Sequence, residues 1–438
     1  MKFFKKVFIY VAIYIVMICL FSISMIAAYA LPNERIRDNI KESEAHILMS
    51  SGNNNPLFGS YITGMQLDAF TDMLILDISI NKGKSEDEAI VNRAFENSWF
   101  SENDNMVVSI EESLYNDDVY NNYGYSRYWH GIQIIVRPLL IVFNYEEIKA
   151  LFMIVMFVLL GIAMMLIKNN LSALHAIGFL ISMVMVGFSV VSISLQYIGI
   201  FAITLMTVII INVLYKHNKD KLFPYLFFIV GGCTTFFDLL TAPIITLGLP
   251  LILIIMLKIK REKDMKLMSI IKIMIGYSIL WVIAYAVTFV TKWGIASLVL
   301  HRDEFTVAVN QLLFRVNGTE EYPTTRIGAI KENLKFLKNK IFVSTMFVLF
   351  IIWIPLFVKY RKKIKEMKSI ICICLIAIYP YIWYVAFSNH STIHAWFTYR
   401  AQVITIFGFL GILSETIDFN KIRIKKNNNA LDLEEKNG

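Results

Sequence analysis

Long apolar runs separated by short charged clusters recur along the 438-residue chain, and one polar stretch, residues 31–144, breaks the series after its first run. An apolar run of about eighteen residues or more is long enough to span a bilayer as a helix. Ten such segments are centred on residues 7–30, 147–167, 171–189, 195–214, 222–240, 243–258, 269–291, 341–358, 369–387 and 401–416. The pattern therefore predicts an all-α polytopic membrane protein of about ten transmembrane helices, with a large mixed extracytoplasmic loop after the first. Its parts are a first anchor (1–30), a loop domain (31–145), helices two to seven (146–291), a second outer loop (292–340), helices eight to ten (341–420) and a tail (421–438). Helical periodicity shows inside the first loop around 39–50 and 67–80, residues 52–55 read as a turn, and apolar stretches at 305–316 suggest a short helix along the bilayer surface.

Composition agrees with the pattern. Hydrophobic residues make up 57% and charged residues 17% of the chain, with mean hydropathy +0.58, outside the range of a soluble globular protein. Lys2, Lys5 and Lys6 precede a first run that ends in Ala28-Tyr29-Ala30, which resembles a signal-peptidase site. The run is longer than a usual signal peptide, so a retained anchor is expected. Cys19, Cys233, Cys372 and Cys374 lie in apolar segments, and no disulfide framework is expected in the outer loops.

Charge sets the orientation. Threading ten spans puts Lys168, Lys216/Lys219/Lys221, the 258–266 cluster, the 359–368 cluster and the 421–426 cluster on the same face as the N-terminus. The positive-inside rule makes that face cytoplasmic, so a multi-pass protein of the cell membrane with both termini inside is expected. Residues 31–145 carry 17 Asp and Glu against 8 Lys and Arg, an acidic outer domain. The overall net charge of +8 is then a consequence of topology, and no nucleic-acid partner is implied.

The conspicuous polar motifs all fall on the outward side. Asp68 and Asp72, four apart, would share one helical face, where two acids can bind a divalent cation such as Mg or Mn, or one can act as general base. The alternative is a helix cap with a solvated face. In Tyr125-Ser126-Arg127-Tyr128-Trp129-His130-Gly131, Arg127, Tyr128 and His130 suit a phosphate or sugar ligand, and equally an interfacial aromatic belt. Arg137-Pro138 reads as a helix start with a snorkelling Arg. Asp238, between Phe236-Phe237 and Thr241-Ala242-Pro243, is an acid at membrane depth, either functional or an N-cap.

The string 389–400 carries His390, His394, Tyr399 and Arg400. The two imidazoles would lie on one helical face, but no further ligands at zinc spacing accompany them, so phosphate or sugar-hydroxyl binding is expected, with a belt and a snorkelling Arg as the rival. His301-Arg302-Asp303-Glu304 reads as a solvated loop. There is no glycine-rich phosphate loop and no Gly-x-Ser-x-Gly elbow.

An N-terminal span, a large outer loop with a carboxylate pair, and many spans with short inner loops together resemble the GT-C superfamily of polytopic glycosyltransferases. The resemblance implies a polyprenyl-linked sugar donor, a glycan or other hydroxyl acceptor, and catalysis by an acid of the first outer loop. Asp68 and Asp72 match that position, although Glu34 and Asp38, flanked by Arg35 and Arg37, lie nearer the first span. The strings 128–131 and 394–400 are also similar to those of membrane proteins encoded among bacterial surface-polysaccharide genes. A transporter or flippase of lipid-linked saccharide, and a polysaccharide polymerase or ligase, share the same topology. The former needs ionisable groups at mid-span, which are sparse here.

Overall fold

The computed structural model describes residues 2–43, 68–80, 82–85, 88–101, 106–116, 118–319, 323–338, 340–361 and 368–418. The turn expected at 52–55, residues 44–50 of the first periodic segment and the tail from 421 lie outside the described residues. In chain order the helices are α1 (Lys2–Tyr29), α2 (Asn33–Lys41), α3 (Ala69–Ile80), α4 (Ile90–Glu96), α5 (Met106–Tyr115), α6 (Gln133–Leu140), α7 (Tyr145–Asn170), α8 (Ala173–Met185), α9 (Phe188–Val191) and α10 (Leu195–Lys216). There follow α11 (Phe223–Phe237), α12 (Ile245–Arg261), α13 (Leu267–Leu300), α14 (Glu304–Asn317), α15 (Arg326–Lys335), α16 (Lys340–Tyr360), α17 (Lys368–Ala377), α18 (Tyr379–Ala386), α19 (Ser388–Ile393), α20 (Ala395–Thr398) and α21 (Val403–Thr416).

The protein is a helical, polytopic membrane protein. Among the described residues, seven helical stretches are long and apolar enough to cross a bilayer: Phe4–Tyr29, Tyr145–Asn170, Leu195–Lys216, Leu267–Leu300, Val343–Tyr360, Lys368–Ala386 and Ala395–Thr416. The other three segments expected to span are shorter. Helix α8 has 13 residues, α11 has 15 and α12 has 17 with Pro250 inside, and at about 1.5 Å per residue none matches the ~30 Å hydrocarbon core unaided. Burial within protein compensates, most completely in α12, where every residue from 245 to 257 is buried. The span expected at 269–291 instead runs on to Leu300.

The first outer loop was expected to be mixed; among the described residues it is helical, with the isolated pair Trp99 and Tyr123 as its β-type contact. One expectation of exposure is corrected as well. Arg137 does not snorkel: it is fully buried and donates to Ala28 O at 2.8 Å, Leu31 O at 3.3 Å, Asn33 Oδ1 at 2.8 Å and Ser79 O. The run 301–304 is exposed over its first three residues, as expected, but it also makes contacts: Arg302 bridges buried Glu96 at 2.5 Å and buried Glu304, and Asp303 caps α14 through Thr306 N at 2.9 Å.

The tightest helix crossing joins α11 to α13. A Cβ on Gly231 would lie 2.3 Å from Trp281 O, so this crossing admits only glycine, and Thr234, Thr246 and Trp281 close a hydrogen-bonded set beside it. Contacts sort the chain into two ends. One end gathers Asn170 and Asn212 at 2.9 Å, Arg261 and Asp220 at 2.7 Å, Lys260 on Asn170 O, and Lys368 on Met265 O. At the other end, the acidic insert meets residues 194–196, Phe236, 292–304 and 388–400, and His390 meets Leu240.

Candidate functional site

Helix α3 brings the carboxylate pair to that second end. Asp68 is its N-terminal cap, accepting from Thr71 N at 3.1 Å and Thr71 Oγ1 at 3.0 Å, and it also receives Trp396 Nε1 at 3.3 Å. Asp72, one turn on, is buried and reaches a different helix. Its Oδ1 takes Ser194 Oγ at 3.0 Å and Gln196 N at 3.1 Å; its Oδ2 takes Tyr145 OH at 3.0 Å and Leu195 N at 3.2 Å. A carboxylate offers about four lone-pair sites, and all four are used. Burial pushes its pKa up to about 6 against these donors.

The pair therefore does not fit a shared cation. Asp72 has no lone pair to give, and among the described residues no three His, Cys, Asp or Glu side chains gather closely enough to hold a metal. Asp72 instead caps the N-terminus of α10 together with Ser194, whose Oγ also accepts Gln196 N at 3.2 Å, so the amides of a buried helix end are satisfied.

His390 and His394 do come together, at 4.8 Å between ring centroids, but on an arginine. Arg315 Nη1, from α14, lies 3.1 Å from His390 Nδ1 and 2.8 Å from His394 Nε2. Guanidinium only donates, so both imidazole nitrogens accept and both rings are neutral. His390 then carries its proton on Nε2 and donates it to Leu240 O at 2.7 Å. Burial, each ring's neighbours and the Arg315 charge hold His390 well below the usual histidine range and His394 down at about 3. The remaining nitrogen of His394, Nδ1, is buried with no partner.

That bond to Leu240 attaches the histidines to the turn carrying Asp238. Asp238 follows the last residue of α11; its Oδ1 accepts Thr241 N at 2.8 Å, so it closes its own turn and does not cap α12. Its Oδ2 is buried with no partner. The neighbouring turn docks on it through Gly131 N to Phe236 O at 2.8 Å. Gly131 is required there, because a Cβ would stand 2.5 Å from that oxygen. His130, just before, is fully buried with φ +54, its Nε2 is 3.2 Å from Tyr125 O, and burial followed by the Lys292 charge pushes it down to about 3. It is a packed core residue whose ring lies 4.8 Å from Tyr125.

Arg127 stacks on Tyr125 at 4.1 Å and faces Tyr128 at 5.6 Å. The Tyr128 hydroxyl lies within electrostatic reach of Arg127, Arg315 and Asp238 together. Arg400 is buried against Tyr197 at 4.1 Å and Tyr399 at 5.0 Å and donates to Trp396 O at 2.8 Å, beside Asp68; Tyr399 donates to Val186 O at 3.3 Å and stacks on Phe336. Two groups result: Arg127, Tyr128, Asp238, Arg315, His390 and His394 in one, and Asp68, Trp396, Tyr197 and Arg400 in the other, joined where Trp396 packs on His394 at 5.1 Å.

Arg315, Tyr197 and Ser194 were not singled out from sequence. Arg315 had a visible signal, a cation inside the apolar 305–316 stretch. The chain matches no family model, no curated protein and no solved structure.

Proposed function

We propose that the chain is a membrane glycosyltransferase that moves a sugar from a polyprenyl-phosphate donor to a hydroxyl of a cell-surface glycan on the extracytoplasmic side. One observation carries the reading. Around Tyr128, Arg127 Nε and Arg315 Nε are buried donors with no partner, and Asp238 Oδ2 is a buried acceptor with none. Each such group costs about 1–3 kcal/mol while unpaired. Cationic donors suit a phosphate ester and a carboxylate oxygen suits a hydroxyl under attack, so one donor–acceptor pair would satisfy both kinds.

The ten-crossing topology belongs to the same proposal. Asn170 contacts the Lys260 end, whereas Ser194 contacts Asp72 at the insert end, so the stretch containing α8 passes from one end to the other. Helices α11 and α12 do the same, from Asp220 to the Asp238 turn and back to Arg261. With these three crossings the basic clusters share one face, inside the cell, and both termini lie there. A transport passage is less favoured, because Thr234, Thr246 and Trp281 at the α11–α13 crossing bond to one another.

Deleting the protein from its host should remove one sugar from an envelope glycan, and the full chain supplied in trans should restore it, as read by mass spectrometry of released glycans. An unchanged glycan profile together with no binding of polyprenyl phosphate by the purified protein would sink the proposal.

A further inference from the structure

The resemblance places the catalytic acid in the first outer loop, but the two acids there are committed to helix ends. Asp72 has no free lone pair, and Asp68 holds Thr71 and Trp396. Asp238 is as buried as Asp72 and differs in its second oxygen. It is 1% exposed, one oxygen closes its own turn, and the other has no partner.

The turn around it holds a residue in the left-handed region. Leu240 holds φ +66, a conformation that a bulky L-residue adopts only under constraint from its surroundings. His390 pins that residue through Leu240 O, and Arg315 pins His390. On its other flank lies a second left-handed residue, His130, in the turn docked through Gly131. The turn bearing His130 thus docks at Phe236, two residues before Asp238, and Leu240, two residues after it, is held by the Arg315–His390 pair.

We infer that Asp238 takes the proton of the attacking hydroxyl and that Arg127 and Arg315 hold the donor phosphate, an assignment that rests on the transferase reading. The acceptor O–H bond breaks and its proton moves to Asp238 Oδ2. The acceptor oxygen forms a bond to the anomeric carbon as the bond from that carbon to the phosphate oxygen breaks. The electron pair stays on the phosphate, and the added negative charge faces the two guanidinium groups. Asp238 then returns its proton to the departing phosphate or to water, which closes the cycle with no oxidant or reductant. His390 is a positioning residue that fixes the turn.

The test uses the full-length protein in lipid nanodiscs, with polyprenyl phosphate as probe and the uncharged polyprenol as control, alongside the envelope-glycan readout in cells. Asp238→Asn removes a negative charge beside the phosphate, so it should bind the probe at least as tightly as wild type while transfer falls by about 10²-fold or more. Arg127→Gln and Arg315→Gln should weaken probe binding by about tenfold and leave polyprenol unaffected. Asp68→Asn should keep transfer within about tenfold of wild type, the range of a lost cap and not of a lost base.

Transfer at the wild-type level by Asp238→Asn overturns the inference while leaving the transferase reading intact. If wild type neither binds the probe nor alters any glycan, the reading itself fails. Should Asp238→Asn not fold, as judged by its melting curve, Asp238→Glu decides. It keeps the charge but moves the oxygen by one methylene, and wild-type transfer by a folded Asp238→Glu also overturns the assignment.

Discussion

The indole Nε1 of Trp396 lies 3.3 Å from Asp68 Oδ2, across 328 positions of sequence. One hydrogen bond thereby ties the start of α3 to the approach of the last long apolar segment, and the two ends of the chain's polar chemistry share one side. Cysteines at 68 and 396, in a background lacking the four native ones, should be joined in membranes by a short bismaleimide that spans the width of the lost indole. A reagent that cannot cross the bilayer should label either one from outside. Opposite-sided labelling would end both the topology and the site.

Asp72 acts through structure. Asp72→Asn keeps one acceptor oxygen but presents an NH₂ on the other side; the Ser194 and Tyr145 hydroxyls can turn to accept from it, whereas a backbone amide such as Leu195 N cannot, and the charge that caps α10 is lost. A cost of about 1–3 kcal/mol is expected, the scale for one buried group left unpaired. A lowered melting temperature in detergent, with probe binding retained by the fraction still folded, is the expected result. For the same reason Mg or Mn should not raise the melting temperature of wild type, and a metal-dependent rise that Asp72→Asn abolishes would contradict the cap assignment.

Stability should carry a signature of Asp77. This acid is buried in α3 with Oδ2 accepting Phe100 N at 2.7 Å, and burial raises its pKa to about 7. A raised acid means that the folded state binds more protons than the unfolded one between about pH 4 and 7, so stability falls as pH rises through that window. Asp77→Asn removes the titration and keeps an oxygen for Phe100 N. Its melting temperature should therefore gain on wild type from pH 4 to pH 7 and run parallel above. A constant difference across the range would exclude the buried ionisation.

Periodicity and charge made the membrane class, the outer helix at 67–80 and the α14 segment legible, because lipid exposure and amphipathicity write themselves into spacing. Partner choice was not legible. His390 and His394 four apart suggested a shared ligand, yet what they share is Arg315, about 75 positions away, and no local pattern encodes that meeting. Asp72 looked like the partner of Asp68 because they are neighbours on a helix; its real partners are amides at 195 and 196. The lengths of α8, α11 and α12 were over-read for a related reason. An apolar run ends in sequence where polarity begins, but a helix ends where a turn such as 238–241 is held from outside.

Arg137 presents the sharpest test of how the insert is fastened. No acid is among its partners; its guanidinium instead donates to Ala28 O and Leu31 O at the end of α1, to Ser79 O at the end of α3, and to Asn33 Oδ1, with the Tyr29 ring at 4.6 Å. The carbonyl ends of two helices, each carrying partial negative charge, thus share one buried cation. Burial pulls its pKa down to about 10, which still leaves it charged at neutral pH. Arg137→Lys keeps the charge in principle but has three donors on one point, which cannot span carbonyls set around a planar fork. Arg137→Met fills the space but leaves helix-end carbonyls unpaired. Both should cost about 3–5 kcal/mol, the scale for breaking a buried charge network, with Met no better than Lys. Protease sensitivity of the insert and the melting temperature should report it, with the helices outside the insert still folded. A Met variant as stable as wild type would show that the two helix ends need no cation between them.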